Sequence, residues 1–138
     1  LAHAILMEMG IPCYVMFDGD KGYEGRARSQ GKKPQVIRDT VQNHRMENLR
    51  LLEYLGADEE DFPDTATHAR YAVIEDTLEP LLEAEWQGWM DETRRIIDSG
   101  LGTEKKNSLV YLIAAKQISS PAPQLLQDVL RKVHLLVS

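Results

Sequence analysis

The sequence has 138 residues, 43% of them hydrophobic and 28% charged, which suits one globular domain and excludes a disordered or collagen-like chain. No apolar run approaches the roughly 20 residues that a membrane-spanning helix requires, so no membrane partner is expected. With 22 acidic and 16 basic residues the net charge is −6, and any contact with nucleic acid would have to be local.

The chain opens with LAHAILMEMG, whose apolar stripe predicts a helix that ends at Gly10. Because this helix starts at Leu1 without an N-cap or a leader peptide, we expect the sequence to be a piece of a longer polypeptide. The single cysteine, Cys13, excludes an internal disulfide and fits a cytoplasmic location.

Two strands and a long helix are predicted next. The continuous apolar run over 11–17 is typical of a strand buried on both faces of a parallel sheet, and residues 18–34 predict a long loop. Apolar residues at helical spacing predict a helix over 34–55 that ends at Gly56, and a second strand is predicted over 69–75. This order predicts a parallel α/β crossover.

The second half of the chain is predicted to be mostly helical. We therefore expect a partial α/β domain over 1–85, with a helical extension over 86–138 packed on it. Two strands are too few for an independent parallel sheet, so further strands are expected before Leu1.

The sequence Asp18-Gly19-Asp20 follows the first predicted strand, at the edge of an open α/β sheet where ligands collect. Two carboxylates separated by one small residue offer hard oxygen ligands to one divalent cation. The alternative is an ordinary polar turn, because Asp-Gly is a common turn dipeptide.

IPCYVMFDGD, residues 11–20, follows a helix that ends in Met-Gly and resembles the second half of a toprim domain. This metal-binding fold is shared by type II and type IA topoisomerases, bacterial primases and OLD-family (overcoming lysogenisation defect) nucleases. The later sequence is most similar to the OLD nucleases, through an Asn-containing helix ending in Leu-Gly at 48–56, Phe62-Pro63, and YAVIEDTLEPLL at 71–82. The resemblance rests on the order and spacing of these short motifs.

The resemblance implies roles for six residues. Asp18 and Asp20 would hold Mg²⁺ or Mn²⁺, and Thr77 and Glu79 match the turn that supplies ligands for a second metal ion. A lysine that opens the next helix assists catalysis in this family, and Lys106 or Lys105 occupies that place.

The resemblance predicts a metal-dependent DNA endonuclease. ATP would be used only by an ATPase domain upstream in the same polypeptide, and a toprim site also needs a glutamate upstream of the Asp-x-Asp pair. The sequence from Leu1 onwards does not include that upstream segment, so the catalytic site within it is expected to be incomplete. The resemblance leaves a homodimer open.

Basic residues cluster between the Asp-Gly-Asp sequence and the long helix. This basic segment, residues 21–33, contains Lys21, Arg26, Arg28, Lys32 and Lys33, opposed only by Glu24. It is the predicted contact with the phosphate backbone of DNA. The alternative is a solvated loop without a partner.

Each candidate residue also has an interpretation that involves no catalytic or metal-binding role. Acids beside Glu79 are favoured by the dipole at a helix start, although Glu75 and Asp76 are further candidate ligands. The lysines could be solvated surface residues, and the four histidines, His3, His44, His68 and His134, are interpreted as packing or surface residues. A topoisomerase-like or primase-like toprim enzyme and a noncatalytic α/β regulatory or scaffold domain stay open as alternative functions.

Overall fold

The computed structural model describes residues 2–101 and 108–136. This part of the chain is a mostly helical α/β fold with one small mixed sheet. The helices are α1 (Ala2–Glu8), α2 (Tyr23–Ser29), α3 (Pro34–Leu55), α4 (Leu78–Glu85), α5 (Trp89–Asp98), α6 (Ser108–Gln117) and α7 (Gln124–Leu136), and the strands are β1 (Val15–Asp18), β2 (Ala66–Thr67) and β3 (Tyr71–Ile74).

The sheet has the order β1-β3-β2. β1 and β3 are parallel, with Asp18 opposite Ile74, which confirms the predicted parallel pairing of the two strands on either side of the long helix. Both strands are shorter than predicted. The antiparallel strand β2 was not predicted, because two residues are too few to show an alternating pattern.

The prediction that the first strand is buried on both faces was wrong for the described sheet. β1 lies at its edge, its residues alternate between half-buried and exposed, and Met16 is 40% exposed. The central strand is β3, in which Ala72, Val73 and Ile74 are buried. A continuous apolar run does not reveal which strand has neighbours on both sides.

Helix α3 confirms its prediction at both ends. Pro34 stands in the first turn, where its missing N–H costs no hydrogen bond, and Gly56 ends the helix with a left-handed φ of 69°. Ile37, Asn48 and Leu52 form its buried face. One member of that face is polar.

The long loop predicted over 18–34 was wrong in part, because α2 lies within it. This seven-residue helix contains one buried side chain, Ala27, so it has no apolar stripe that periodicity could detect. Glu24 and Arg28 form an ion pair one turn apart on its exposed side.

The chain divides into two compact units: unit 1 comprises Leu1–Leu78 and Asp128–Ser138, and unit 2 comprises Glu79–Gln127. The predicted helical second half is confirmed by α4 to α7. The domain boundaries proposed from the sequence, 1–85 and 86–138, stay a prediction. Buried residues in unit 2 are Leu82, Trp89, Ile96, Val110, Ala114, Pro123 and Leu125.

No helix within 2–101 and 108–136 is both long and apolar enough to cross a membrane.

Candidate functional site

The Asp18-Gly19-Asp20 sequence lies at the carboxyl end of β1, as predicted, and hydrogen bonds tie it to the segment that follows β3. The Gly19 N–H donates to the Ile74 carbonyl at 2.7 Å, and the Asp20 N–H donates to the Asp76 carbonyl at 3.1 Å. The Lys21 N–H donates to the Glu75 carbonyl at 2.9 Å. Residues 18–21 and 74–76 therefore form one backbone platform.

Gly19 permits this close approach. A Cβ atom at that position would lie 3.0 Å from the Glu75 carbonyl oxygen and 3.2 Å from that of Ile74. Both contacts are with backbone atoms, which cannot rotate away as a flexible side chain can. The small residue in the Asp-x-Asp motif thus has a steric role.

Asp20 has a φ of +55°, in the left-handed region that non-glycine residues seldom occupy. Its carbonyl accepts the Tyr23 N–H at 3.0 Å, and its carboxylate oxygen Oδ2 lies 3.2 Å from Nδ1 of His44. The side chains of Asp20 and His44 are 27% and 21% exposed. The surrounding contacts therefore hold this carboxylate in a defined position.

An ion pair between α2 and the end of β3 stands beside Asp20. Arg26 donates through Nη1 to Asp76 Oδ2, while its Nη2 lies 3.8 Å from Asp20 Oδ1. The hydrogen bond with Asp76 is the main cause of a raised pKa for the Arg26 guanidinium, and the charges of Asp20 and Asp18 add to it. Three carboxylates thus act on one cation.

Asn48, on α3, holds the backbone platform in place through hydrogen bonds. Its side chain is buried, and Nδ2 donates to the carbonyls of Gly19 and Asp61, both at 2.9 Å. Arg45, also on α3, pairs with Asp61 at 2.8 Å. The helix therefore links the Asp-x-Asp turn to the acidic loop that precedes β2.

The basic segment differs from its prediction in how many of its cations are available. Lys21 pairs with Asp64 and lies 3.6 Å from Glu75, Arg26 pairs with Asp76, and Arg28 pairs with Glu24. Among the described residues no carboxylate pairs with Lys32 or Lys33. These two lysines are the cations of the segment that remain available to an external anion.

Lys32 adjoins the aromatic ring of Tyr23, with Nζ 3.5 Å from the phenol oxygen and 5.0 Å from the ring centre. A hydrogen bond with Thr40 and then the Lys32 charge lower the pKa of Tyr23. The Tyr23 ring also lies 5.0 Å from that of His44. A continuous row of side chains therefore runs from Lys32 to Asp20.

The other predicted site residues are placed less fully. Thr77 is half-buried just before α4, and Glu79 stands in the first turn of α4, within unit 2. Burial, followed by the charge of Glu79, raises the pKa of Tyr111 in the same unit. Lys105 and Lys106 lie outside the described residues.

Sequence reasoning missed three contributors: Arg26 as the partner of Asp76, His44 as a neighbour of Asp20, and Asn48. Arg26 and Asp76 are 50 positions apart, and no local pattern connects them. A signal did exist for His44 and Asn48, because both lie one turn apart in line with Leu52 on α3. Polar residues on an apolar helix face indicate internal partners.

Comparison with protein-family models, with curated proteins and with solved structures finds no match to this chain.

Proposed function

We propose that this chain carries the Asp-x-Asp part of a metal-dependent DNA endonuclease site of the toprim kind. The observation that carries the proposal is the position of Asp18 and Asp20 at the carboxyl end of β1, beside an Arg26 guanidinium that pairs with Asp76 and lies 3.8 Å from Asp20. Carboxylates gathered at the adjacent ends of β1 and β3 need a counter-charge. A divalent cation supplies more of it than one guanidinium does.

The donor set suits Mg²⁺ or Mn²⁺. Carboxylate oxygens are hard ligands, and Mg²⁺ commonly uses one or two carboxylates with water and substrate phosphate in its remaining positions. No group of three or more His, Cys, Asp or Glu side chains in the described parts of the chain is arranged to hold a metal ion. Asp18 and Asp20 would hold the divalent cation with water and substrate phosphate, and Arg26 would have to move away from Asp20.

The chain's own residues prepare the site in three ways. Asn48 fixes the Gly19 carbonyl, and with it the backbone between the two aspartates. His44 limits the positions that the Asp20 carboxylate can take. Lys32 and Lys33 would neutralise phosphates of the DNA backbone.

A bound divalent cation would supply Lewis acidity and a water of lowered pKa for hydrolysis of a phosphodiester. The roles of Thr77 and Glu79 at a second metal, of Lys105 or Lys106 in catalysis, and of ATP in an upstream ATPase domain stay predictions from the resemblance.

The proposal is tested by nicking of supercoiled plasmid DNA by the full-length protein in Mg²⁺, in Mn²⁺ and in EDTA. Asp18→Asn and Asp20→Asn should each reduce nicking by about 100-fold or more, because the metal loses a charged ligand. Asp39→Asn is the matched control, since Asp39 is an exposed acid on α3 whose carboxylate accepts a hydrogen bond from Gln35, one turn away on the same helix. Nicking by this control should equal that of the wild type.

Each alternative function gives a different result. Undiminished nicking by both aspartate variants would remove Asp18 and Asp20 from the reaction. A topoisomerase would yield relaxed circles that remain covalently closed. A noncatalytic scaffold would nick nothing, and neither Mg²⁺ nor Mn²⁺ would raise its melting temperature.

A further inference from the structure

The positive charge of Arg26 lies close to the position that a bound metal ion would occupy. Its guanidinium bonds to Asp76 and stands 3.8 Å from Asp20, the carboxylate proposed as a metal ligand. The Arg26 side chain is 39% exposed, and those of Asp20 and Asp76 are each 27% exposed, so no charge becomes fully buried when Arg26 takes a partner in solvent.

The backbone leaves room for this ion pair. Gly22 donates its N–H to Asp76 Oδ1 at 3.2 Å, and a Cβ atom on Gly22 would lie 2.3 Å from Asp76 Oδ2 and 2.8 Å from Arg26 Nη1. A side chain at residue 22 would therefore occupy the space in which Arg26 and Asp76 meet.

A cation bound by Asp18 and Asp20 would repel the neighbouring guanidinium. Like charges a few ångströms apart interact strongly in a partly buried site, and the metal carries twice the charge of Arg26. The guanidinium has a second use once it leaves Asp20. Its planar set of N–H donors matches phosphate oxygens, and this position borders the site where the scissile phosphate would meet the metal.

We propose that Arg26 is an exchangeable counter-ion that neutralises the Asp20 and Asp76 carboxylates before metal binds, and that binds a DNA phosphate afterwards. This inference rests on the proposed function, because it needs Asp18 and Asp20 to take a metal. It assigns Arg26 as a positioning residue in the metal-free protein and as a substrate-binding residue in the loaded one.

The test measures two affinities of Arg26→Gln in the full-length protein. Its affinity for Mn²⁺, measured by calorimetric or EPR titration without DNA, should rise by about tenfold, because a competing positive charge is removed. Its affinity for duplex DNA in Ca²⁺, measured by fluorescence anisotropy, should fall by about 3–10-fold, because a charged hydrogen bond to phosphate is lost. A purely structural defect would lower both affinities.

Two variants serve as controls. Arg28→Gln removes an exposed guanidinium from the same helix, and among the described carboxylates this guanidinium pairs only with Glu24. The Mn²⁺ affinity of this variant should match that of the wild type. Arg26→Lys keeps the charge and should stay within about threefold of the wild type in Mn²⁺ affinity. It also serves as the folded comparison if Arg26→Gln unfolds, in which case a tenfold change with the charge retained would overturn the inference.

The results separate this inference from the proposed function. If the wild type binds no Mn²⁺, the proposed metal site is wrong and this inference falls with it. If the wild type binds Mn²⁺ but Arg26→Gln binds it equally or more weakly, only the role of Arg26 is wrong. A rise in Mn²⁺ affinity with a fall in DNA affinity supports both.

Discussion

Asn48 fixes the position of the Asp-x-Asp turn through one buried amide group. Its two N–H bonds reach the carbonyls of Gly19 and Asp61, which belong to segments on either side of α3 in the sequence. Buried carbonyls that lose a donor retain the cost of desolvation without compensation. The residue therefore matters for stability as well as for the geometry of the site.

Asn48→Ala should lower the free energy of unfolding by about 1–3 kcal/mol, because two carbonyls lose their donor and the side chain leaves a gap. Asn43→Ala, at an exposed position on the same helix, should change it by less than about 0.5 kcal/mol. Urea denaturation followed by circular dichroism measures both values. Equal effects from the two substitutions would contradict the structural role of the Asn48 amide.

At the residue scale the sequence could locate Asp18 and Asp20 but not their neighbours. The Asp-x-Asp motif follows an apolar run, and this local pattern predicts a strand end without any knowledge of tertiary neighbours. His44 is 24 positions from Asp20 and meets it only because α3 packs beside the turn, so the pairing depends on tertiary structure. Local patterns, residue spacing and helix capping contain no information on such distant pairs.

At the element scale the predictions succeeded where an element has its own apolar period and clear ends. Helix α3 is long, amphipathic and bounded by Pro34 and Gly56, so its limits could be read directly. Helix α2 is short and mostly exposed, and β2 has two residues, so neither produces a periodic signal. The edge position of β1 depends on which strands pair with it, and a strand's own residues do not determine that.

Two glycines near β1 should respond oppositely to alanine. Gly19→Ala should destabilise the fold by about 1–3 kcal/mol, because its Cβ would press on two backbone carbonyls that join β1 to β3. Gly25→Ala, within α2, has no atom within 4 Å of the new Cβ and should stabilise the fold by about 0.5–1 kcal/mol through helix propensity. Thermal unfolding of both variants measures the signs. A stabilised Gly19→Ala would show that the close approach of the two strand ends is not needed.

At the scale of the whole molecule, a net charge of −6 disfavours DNA binding. Most cations of the basic segment are also paired with carboxylates of the same chain. Of the five cations predicted to attract DNA, only two therefore lack a carboxylate partner among the described residues. Lys32 and Lys33 stand at the start of α3, beside the row of side chains that leads through Tyr23 and His44 to Asp20. DNA bound there would bring its backbone towards the proposed metal site.

This arrangement predicts a shallow salt dependence of DNA binding that Lys32 and Lys33 dominate. Each phosphate contact contributes about 0.9 to the slope of log K against log salt, so the double substitution Lys32→Ala, Lys33→Ala should reduce that slope by about 2. Lys116→Ala removes an exposed lysine from α6 and should leave the slope unchanged. Fluorescence anisotropy of the full-length protein with duplex DNA in Ca²⁺, from 50 to about 200 mM salt, measures all three. An unchanged slope in the double variant would place the DNA contact elsewhere on the protein, since cations that do not meet phosphate release no counterions.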